Sequence, residues 1–382
     1  MTGETVLANV REISEAFAQD RRERQRRRNL DPADFDRLKE AGFLLTGVPA
    51  EQGGLWESAP RSTRLICDLL RTLAHGDSSV ALVSSMHPAV LSFWLTTPRA
   101  EAPYVEAWDE QRRNVCRAAL DGAWWGTITS EPGSGGDVTK SKAIARPDGS
   151  GAYQLTGQKH FGSGSGITSF MITSALAEGE QEPDWFVLDM RGVPWDGSAG
   201  VKLIAEWDGH GMIATQSHAM SFEDFPATRF AWPGILLRTA AAAGPFVGCA
   251  FTAVIVGIVE NALETARQQL APKRDSLRPY EQVECSRAEV EGWLIQQAYE
   301  GMLRAVERDD DAYRNMLQGK TAIAEIAESV TGRICKVVGG GAFSRNSPFG
   351  FWYEDVRALG FLRPPWGLAF DGIFARSWPQ PQ

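Results

Sequence analysis

Between residues 123 and 235 the chain changes texture, and this constrains the fold more than any other feature. On either side, apolar residues recur at helical spacing. Inside the stretch, Gly, Ser, Thr and Asp are dense, with short alternating runs between them. Ala152–Leu155, Ser169–Thr173, Trp185–Leu188 and Ala219–Phe222 read as strands. Several short strands separated by turn residues predict a small β-barrel or sandwich. The chain is therefore expected to be α+β in three parts: a helical domain over 1–122, a β-domain over 123–235 and a helical bundle over 236–382. A β-unit set between two helical units is an uncommon order, which narrows the choice of fold.

The helical parts carry their own punctuation. Asp31 followed by Pro32 is an N-cap with proline in the first turn. Phe35, Leu38 and Ala41 follow at helical spacing, and Gly42 is placed to end the element. Asp77-Ser78-Ser79 starts another helix. Downstream, Ala240–Gln269, Val283–Val306 and Asp311–Val338 are long enough to span much of the molecule. Thr239–Val259 holds no charged residue, and a run of that length matches a bilayer span. It is rich in Ala and Gly and stands alone, so a buried helix in the bundle or at a subunit interface is expected, and no membrane partner. The basic run Arg21–Arg28 is interleaved with acids and reads as a solvated face of an N-terminal helix.

The 382 residues allow two or three packed units. A net charge of −9 argues against a nucleic-acid partner. The five cysteines have neither redox nor metal spacing, which fits reduced thiols in a cytoplasm. No two histidines have ligand spacing with a carboxylate, so no metal is expected. The polar, acidic N-terminus shows no secretory signal.

Five segments point to a family. They are AGFLLTGVPAEQGG at 41–54, TITSEPGSGGDV at 127–138, TGQKHFGSG at 156–164, WDGHGMIATQSHAMSFEDF at 207–225 and KVVGGGAF at 336–343, with Glu354-Asp355-Val356-Arg357 after the last. In order and spacing they resemble the acyl-CoA dehydrogenase superfamily over nearly the whole chain. The resemblance implies N-terminal helices, a central β-barrel domain and a C-terminal four-helix bundle. It also implies FAD or FMN as cofactor and a homotetramer in which a neighbouring subunit helps to hold the flavin.

By position in these motifs, Thr127, Thr129 and Ser130 resemble the family's flavin-ring contacts, and Gly135 lies in its flavin loop. Glycine backbone can approach a ligand closely and offer N–H groups to it. Phe161 stands where the family has a ring-packing Trp. Ser163 stands where it has a Thr beside the flavin N5. The arginine motif for the flavin pyrophosphate is not intact. Arg274 is its nearest candidate, with Arg278 as a second. Lys336 replaces a Gln before Gly339, Gly340 and Gly341.

The dehydrogenases remove a proton with a Glu about eight residues after the Asp that matches Asp355. Here that residue is Arg363, and arginine stays protonated in proteins. Other members carry the Glu on the first bundle helix, but no acid lies between Asp224 and Glu260. Flavin-dependent monooxygenases of the same fold, the dibenzothiophene monooxygenase-like branch, also lack the Glu. They read K-H-F-x-S-G where this chain has KHFGSG, and they place a His on an early helix, as His87 is placed. The resemblance therefore implies a two-component monooxygenase in which His87 and Ser163 are catalytic, reduced flavin comes from a separate reductase, and the substrate is a small organic molecule. Two rivals remain: a dehydrogenase or oxidase using Asp371 or Glu354 as base, and a non-catalytic scaffold.

Overall fold

The computed structural model describes residues 1–378. Six helices come first: α1 (Gly3–Gln19), α2 (Arg21–Arg24), α3 (Pro32–Glu40), α4 (Ala59–Gly76), α5 (Ser78–Thr96) and α6 (Val105–Leu120). The expected start signals operate. Asp31 accepts a hydrogen bond from the Ala33 N–H with Pro32 as the first helical residue, and Asp77 accepts one from the Val80 N–H. After α3, Gly42 takes φ +88°, which ends the helix without a Cβ clash.

Seven strands follow: β1 (Trp125–Thr127), β2 (Ile144–Pro147), β3 (Tyr153–Gly162), β4 (Phe170–Ala177), β5 (Pro183–Asp189), β6 (Val201–Ala205) and β7 (His218–Arg229). The four segments read as strands from the sequence lie in or at the ends of β3, β4, β5 and β7. The order is β1-β4-β2-β3-β7-β5, and β4 also pairs with β5. Strands β4, β2, β3, β7 and β5 therefore close into a ring, which leaves β1 and β6 as branches and removes most open edges. Leu155, Met171, Phe186, Leu188, Met220 and Phe222 fill its interior.

The chain ends in α7 (Leu236–Leu270), α8 (Pro279–Arg308), α9 (Ala312–Val338), α10 (Phe349–Val356) and α11 (Trp366–Ser377). The uncharged run Thr239–Val259 lies in α7, packed on α4, α5, α8 and α9. Helices α5 and α7 are long and apolar enough to cross a bilayer, but both are mostly buried against protein. The contact with α4 is close: a Cβ on Gly257 would fall 2.4 Å from the Arg71 carbonyl oxygen.

The basic run is a solvated face only in part. Helix α1 ends at Gln19, and of the run Arg22, Arg26 and Arg28 are exposed while Arg24 turns inward from the short α2. Arg24 is buried, paired with Asp34 at 2.5 Å and Asp77 at 2.8 Å, with its guanidinium 3.6 Å from the Phe17 ring centroid. It ties α1, α3 and α5 together. Arg22 and Arg26 both donate to Asn346, far downstream. These partners lie on other elements, out of reach of any local charge pattern.

Asp355 of α10 makes a similar tie. Its carboxylate accepts from the Met212 N–H at 2.6 Å and from the Ser78 hydroxyl, joining α10 to the barrel and to α5. Burial, helped by Asp77 and Glu354 and opposed by those two hydrogen bonds, pushes its pKa up from 3.8 to about 6. The folded form thus holds a proton more tightly than the unfolded chain does. The cost of burying the charge is present in full above pH 6. It is relieved as pH falls and is gone below 3.8. Replacing Asp355 by Asn keeps the shape and removes the charge. Thermal melts are expected to show Asp355→Asn stabilised by about 2–3 kcal/mol at pH 8, with little gain at pH 4. Equal effects at both values would contradict the assignment.

Candidate active site

The site is built on one buried ion pair. Glu131 opens the loop after β1, and Lys159 sits on β3 with no exposed surface. The Lys159 ammonium donates to the Glu131 carboxylate, which also accepts from the Ser141 hydroxyl at 2.5 Å, the Lys142 N–H at 2.6 Å and the Ala143 N–H at 3.2 Å. Lys159 also bonds the Ser174 carbonyl of β4. Burial opposes the charge on Glu131, but Lys159 and these donors outweigh it and hold the carboxyl below its ordinary range. The EPGSGG and KHFGSG segments are thereby locked to each other. Next to the pair, the His160 N–H donates to the Ser130 carbonyl at 2.8 Å.

Above this brace the backbone is open. Gly133 and Gly135 have φ of +79° and +61°, and a Cβ added at either would meet nothing within 4 Å. Gly136 at φ +81° differs: its Cβ would come within 2.9 Å of Pro365, so the connector before α11 lies against this loop. Phe161 takes φ +59° and leaves its ring 58% exposed, edge-on to Trp207 at 6.1 Å. A left-handed non-glycine residue costs about 1–2 kcal/mol, and here the strain presents a flat apolar ring to the cleft. Ser163 follows, its hydroxyl 2.8 Å from that of Ser217. Thr127 is half-buried at the end of β1. Thr129 is buried, and its hydroxyl accepts from the Arg363 guanidinium at 2.6 Å.

Helix α5 packs on the same wall. A Cβ on Gly164 would touch Val83 at 2.7 Å, and His87 lies one turn further on. His87 is fully buried. Its Nε2 is 2.9 Å from the Leu44 carbonyl oxygen, which can only accept, so Nε2 carries the proton. Nδ1 is left with a lone pair and no protein partner among the described residues. Burial, opposed by the Leu44 bond, pulls the imidazole down to about 4, so it is neutral at pH 7. Of the other histidines, His218 accepts the Trp207 N–H at 3.0 Å, a structural role, and His210 is exposed.

The remaining predicted contacts form a second group. Arg274 lies on the turn after α7 and lines a cavity of about 260 Å³ with Leu263, Leu270, Glu284 and Val337. Lys336 is exposed, 4.0 Å from Glu284, and Gly339 and Gly340 are exposed at the end of α9. The chain does not bring this group onto Thr129, Phe161 and Ser163. Of the rival bases, Asp371 is exposed on α11, and Glu354 is paired with Arg357 at 2.7 Å. Sequence reasoning missed the Glu131–Lys159 pair and the Arg363–Thr129 bond. A signal for the first was present, since Lys159 shares the inward phase of β3 with Leu155, and an inward lysine requires a buried acid.

No family profile matches the chain. A dibenzothiophene monooxygenase from Mycolicibacterium goodii is 25% identical over 359 residues, covering 84% of this chain and 81% of that protein. An amino sugar nitrososynthase from Streptomyces peucetius is 26% identical over 387 residues, covering 95% and 90%. FMN-bound TdsC from a Paenibacillus species superposes with a TM-score of 0.78 at 19% identity, covering 99% of both chains. The chain is similar in sequence to flavin-dependent monooxygenases and has the acyl-CoA dehydrogenase fold. The residues of the cleft fit a flavin. Open glycine backbone, an exposed flat ring and two small hydroxyls suit a planar heterocycle with polar edges.

The brace can be tested as a pair. Removing one partner strands a buried charge, so Glu131→Gln and Lys159→Met are each expected to lose about 3–5 kcal/mol in urea unfolding. The double variant Glu131→Gln/Lys159→Met should recover much of that loss. Strictly additive losses would show that the two charges are not coupled.

Proposed function

We propose that this protein is a two-component flavin monooxygenase that takes FMN reduced by a separate reductase and uses O2 to oxygenate a small organic molecule. The observation that carries the reading is the pairing of an arginine with Thr129, where a dehydrogenase of this fold would hold a carboxylate. The arginine cannot remove a proton, and the acid beside it, Asp137, is held by Thr139 and Lys140. What remains is open glycine backbone with an exposed aromatic ring and, one turn of α5 beyond the Val83–Gly164 contact, a buried neutral histidine. FMN is favoured over FAD because FMN is what the solved relative binds.

Bound reduced flavin would supply the two electrons that activate O2. The protein residues have separate tasks. Phe161 would pack against the flat ring, and the backbone N–H groups of Gly133–Gly136 would meet its polar edge. The Ser163 hydroxyl, oriented by Ser217, would supply a hydrogen bond to the ring. His87 holds its proton on Nε2 against Leu44 and leaves Nδ1 to accept or relay a proton. Arg274, Lys336, Gly339 and Gly340 serve the site of a neighbouring copy, in keeping with a homotetramer. Helix α8 supports such an assembly, since it exposes Tyr280, Val283, Val290 and Trp293.

Two measurements test this reading. First, reoxidation of reduced FMN by O2 in the presence of the protein should be slower than that of free reduced FMN, and with an oxygen-accepting substrate present less hydrogen peroxide than flavin should form, the balance appearing as oxygenated product and water. His87→Phe should still bind FMN but release peroxide and lose at least 10-fold in oxygen transfer. Reoxidation at the free rate by the wild type would contradict the proposal. Second, the lone pair of His87 is lost only as pH falls to about 4. The acid limb of the rate profile should therefore lie near 4, not near the usual imidazole value of about 6.5.

A further inference from the structure

Arg363 is an unusual cation in this molecule. Arg24, Arg64, Arg229, Arg267 and Arg333 each pair with a carboxylate within 3 Å. Among the described residues Arg363 pairs with none, and its one hydrogen-bond acceptor is the Thr129 hydroxyl. A guanidinium carries five N–H donors in a planar fork. The residue is half-buried. Its nearest charges oppose each other, with Asp137 favouring the cation and Lys159 disfavouring a second positive charge beside it. Burial pulls its pKa down to about 10, so it remains charged at pH 7. A partly desolvated cation with most of its donors unused is costly unless a ligand completes it.

The segment that carries it is held in place. Lys320 of α9 is 2% exposed and donates to the carbonyls of Leu359 at 2.7 Å and Pro364 at 2.9 Å, on either side of the turn. Gly360 lets the Trp366 indole pack against that turn, since a Cβ there would lie 2.1 Å from Trp366 Nε1. Pro365 rests on Gly136 of the glycine loop. The guanidinium is thereby fixed at the mouth of the cleft, between that loop and Thr129. Lys320 acts as a positioning residue for it.

We infer that Arg363 recognises an oxyanion of a cleft ligand, its fork taking a planar two-oxygen group such as a carboxylate or sulfinate, or two oxygens of a phosphate. This rests on the reading of the cleft as a flavin and substrate site. The anion has two possible sources, the FMN phosphate or an organic acid that is the substrate. Arginine suits either because its fork matches two oxygens at once. If the acid is the source, the substrate class is a small organic acid rather than a neutral aromatic or a thioester.

The experiment compares wild type, Arg363→Gln and Arg363→Lys. One arm measures thermal stabilisation by formate against formamide at constant ionic strength, formate being the smallest two-oxygen anion. The other measures the affinity for FMN relative to riboflavin. A substrate source predicts stabilisation of the wild type by formate and not by formamide, lost in Arg363→Gln and mostly lost in Arg363→Lys. A flavin source predicts that the preference for FMN over riboflavin falls at least 10-fold in Arg363→Gln. The Gln variant should melt no lower than wild type, because it removes an uncompensated charge. Formate and formamide acting alike on wild type, together with an unchanged FMN-to-riboflavin ratio in Arg363→Gln, would overturn the inference. Failure of the wild type to bind any flavin would instead count against the proposed function, while the formate arm would still report on Arg363.

Discussion

The Glu131–Lys159 ion pair is the constraint on which the cleft depends. A lysine with no exposed surface has given up its hydration, and it is tolerable only because a carboxylate and a carbonyl surround it. Glu131 in turn spends its oxygens on Ser141 and two backbone amides. The pair therefore sets the path of the chain as it leaves β1 and the position of β3 beside it. The open glycines of one segment and the exposed Phe161 of the other face a common space because this pair sits beneath them.

The same device recurs where the helical parts meet the barrel. Arg24 joins three helices through Asp34 and Asp77. Asp355 joins α10 to Met212 of the barrel and Ser78 of α5. Lys320 fixes the turn before α11 through two carbonyls. Buried charges of this kind contribute little net stability but specify geometry, since each is tolerated only in the one arrangement that satisfies it. Helix α7 supplies the complement, since its stretch Thr239–Val259 carries no charge and is packed between other helices.

Much of the fold was legible in the sequence because the signals for it are local. Asp31, Asp77 and Gly42 mark helix ends within a few residues, and short apolar runs rich in aromatic and branched residues, such as Trp185–Leu188, mark strands. The order of helical and β texture is also local information, summed along the chain. The parts that were not legible depend on partners chosen by the fold. Arg21–Arg28 looked like a solvated face because Asp77 and Asn346 are distant in sequence. Arg363 could be placed by counting from Asp355, but its bond to Thr129 spans 234 positions. His87 was singled out by its place on an early helix, yet its neutral state follows from burial that no local pattern records. Arg274 and Lys336 were grouped with the flavin contacts by motif, and within one chain they stand apart from them.

The central claim is that the brace between the two motifs creates a flavin-binding cleft. The most direct measurement is the dissociation constant for reduced FMN, taken anaerobically on wild type and Glu131→Gln at a temperature where circular dichroism shows both to be folded. Wild type is expected to bind and Glu131→Gln to lose at least 10-fold in affinity, although the Glu131 carboxylate is spent on Lys159, Ser141 and two backbone amides. Equal affinities would contradict it.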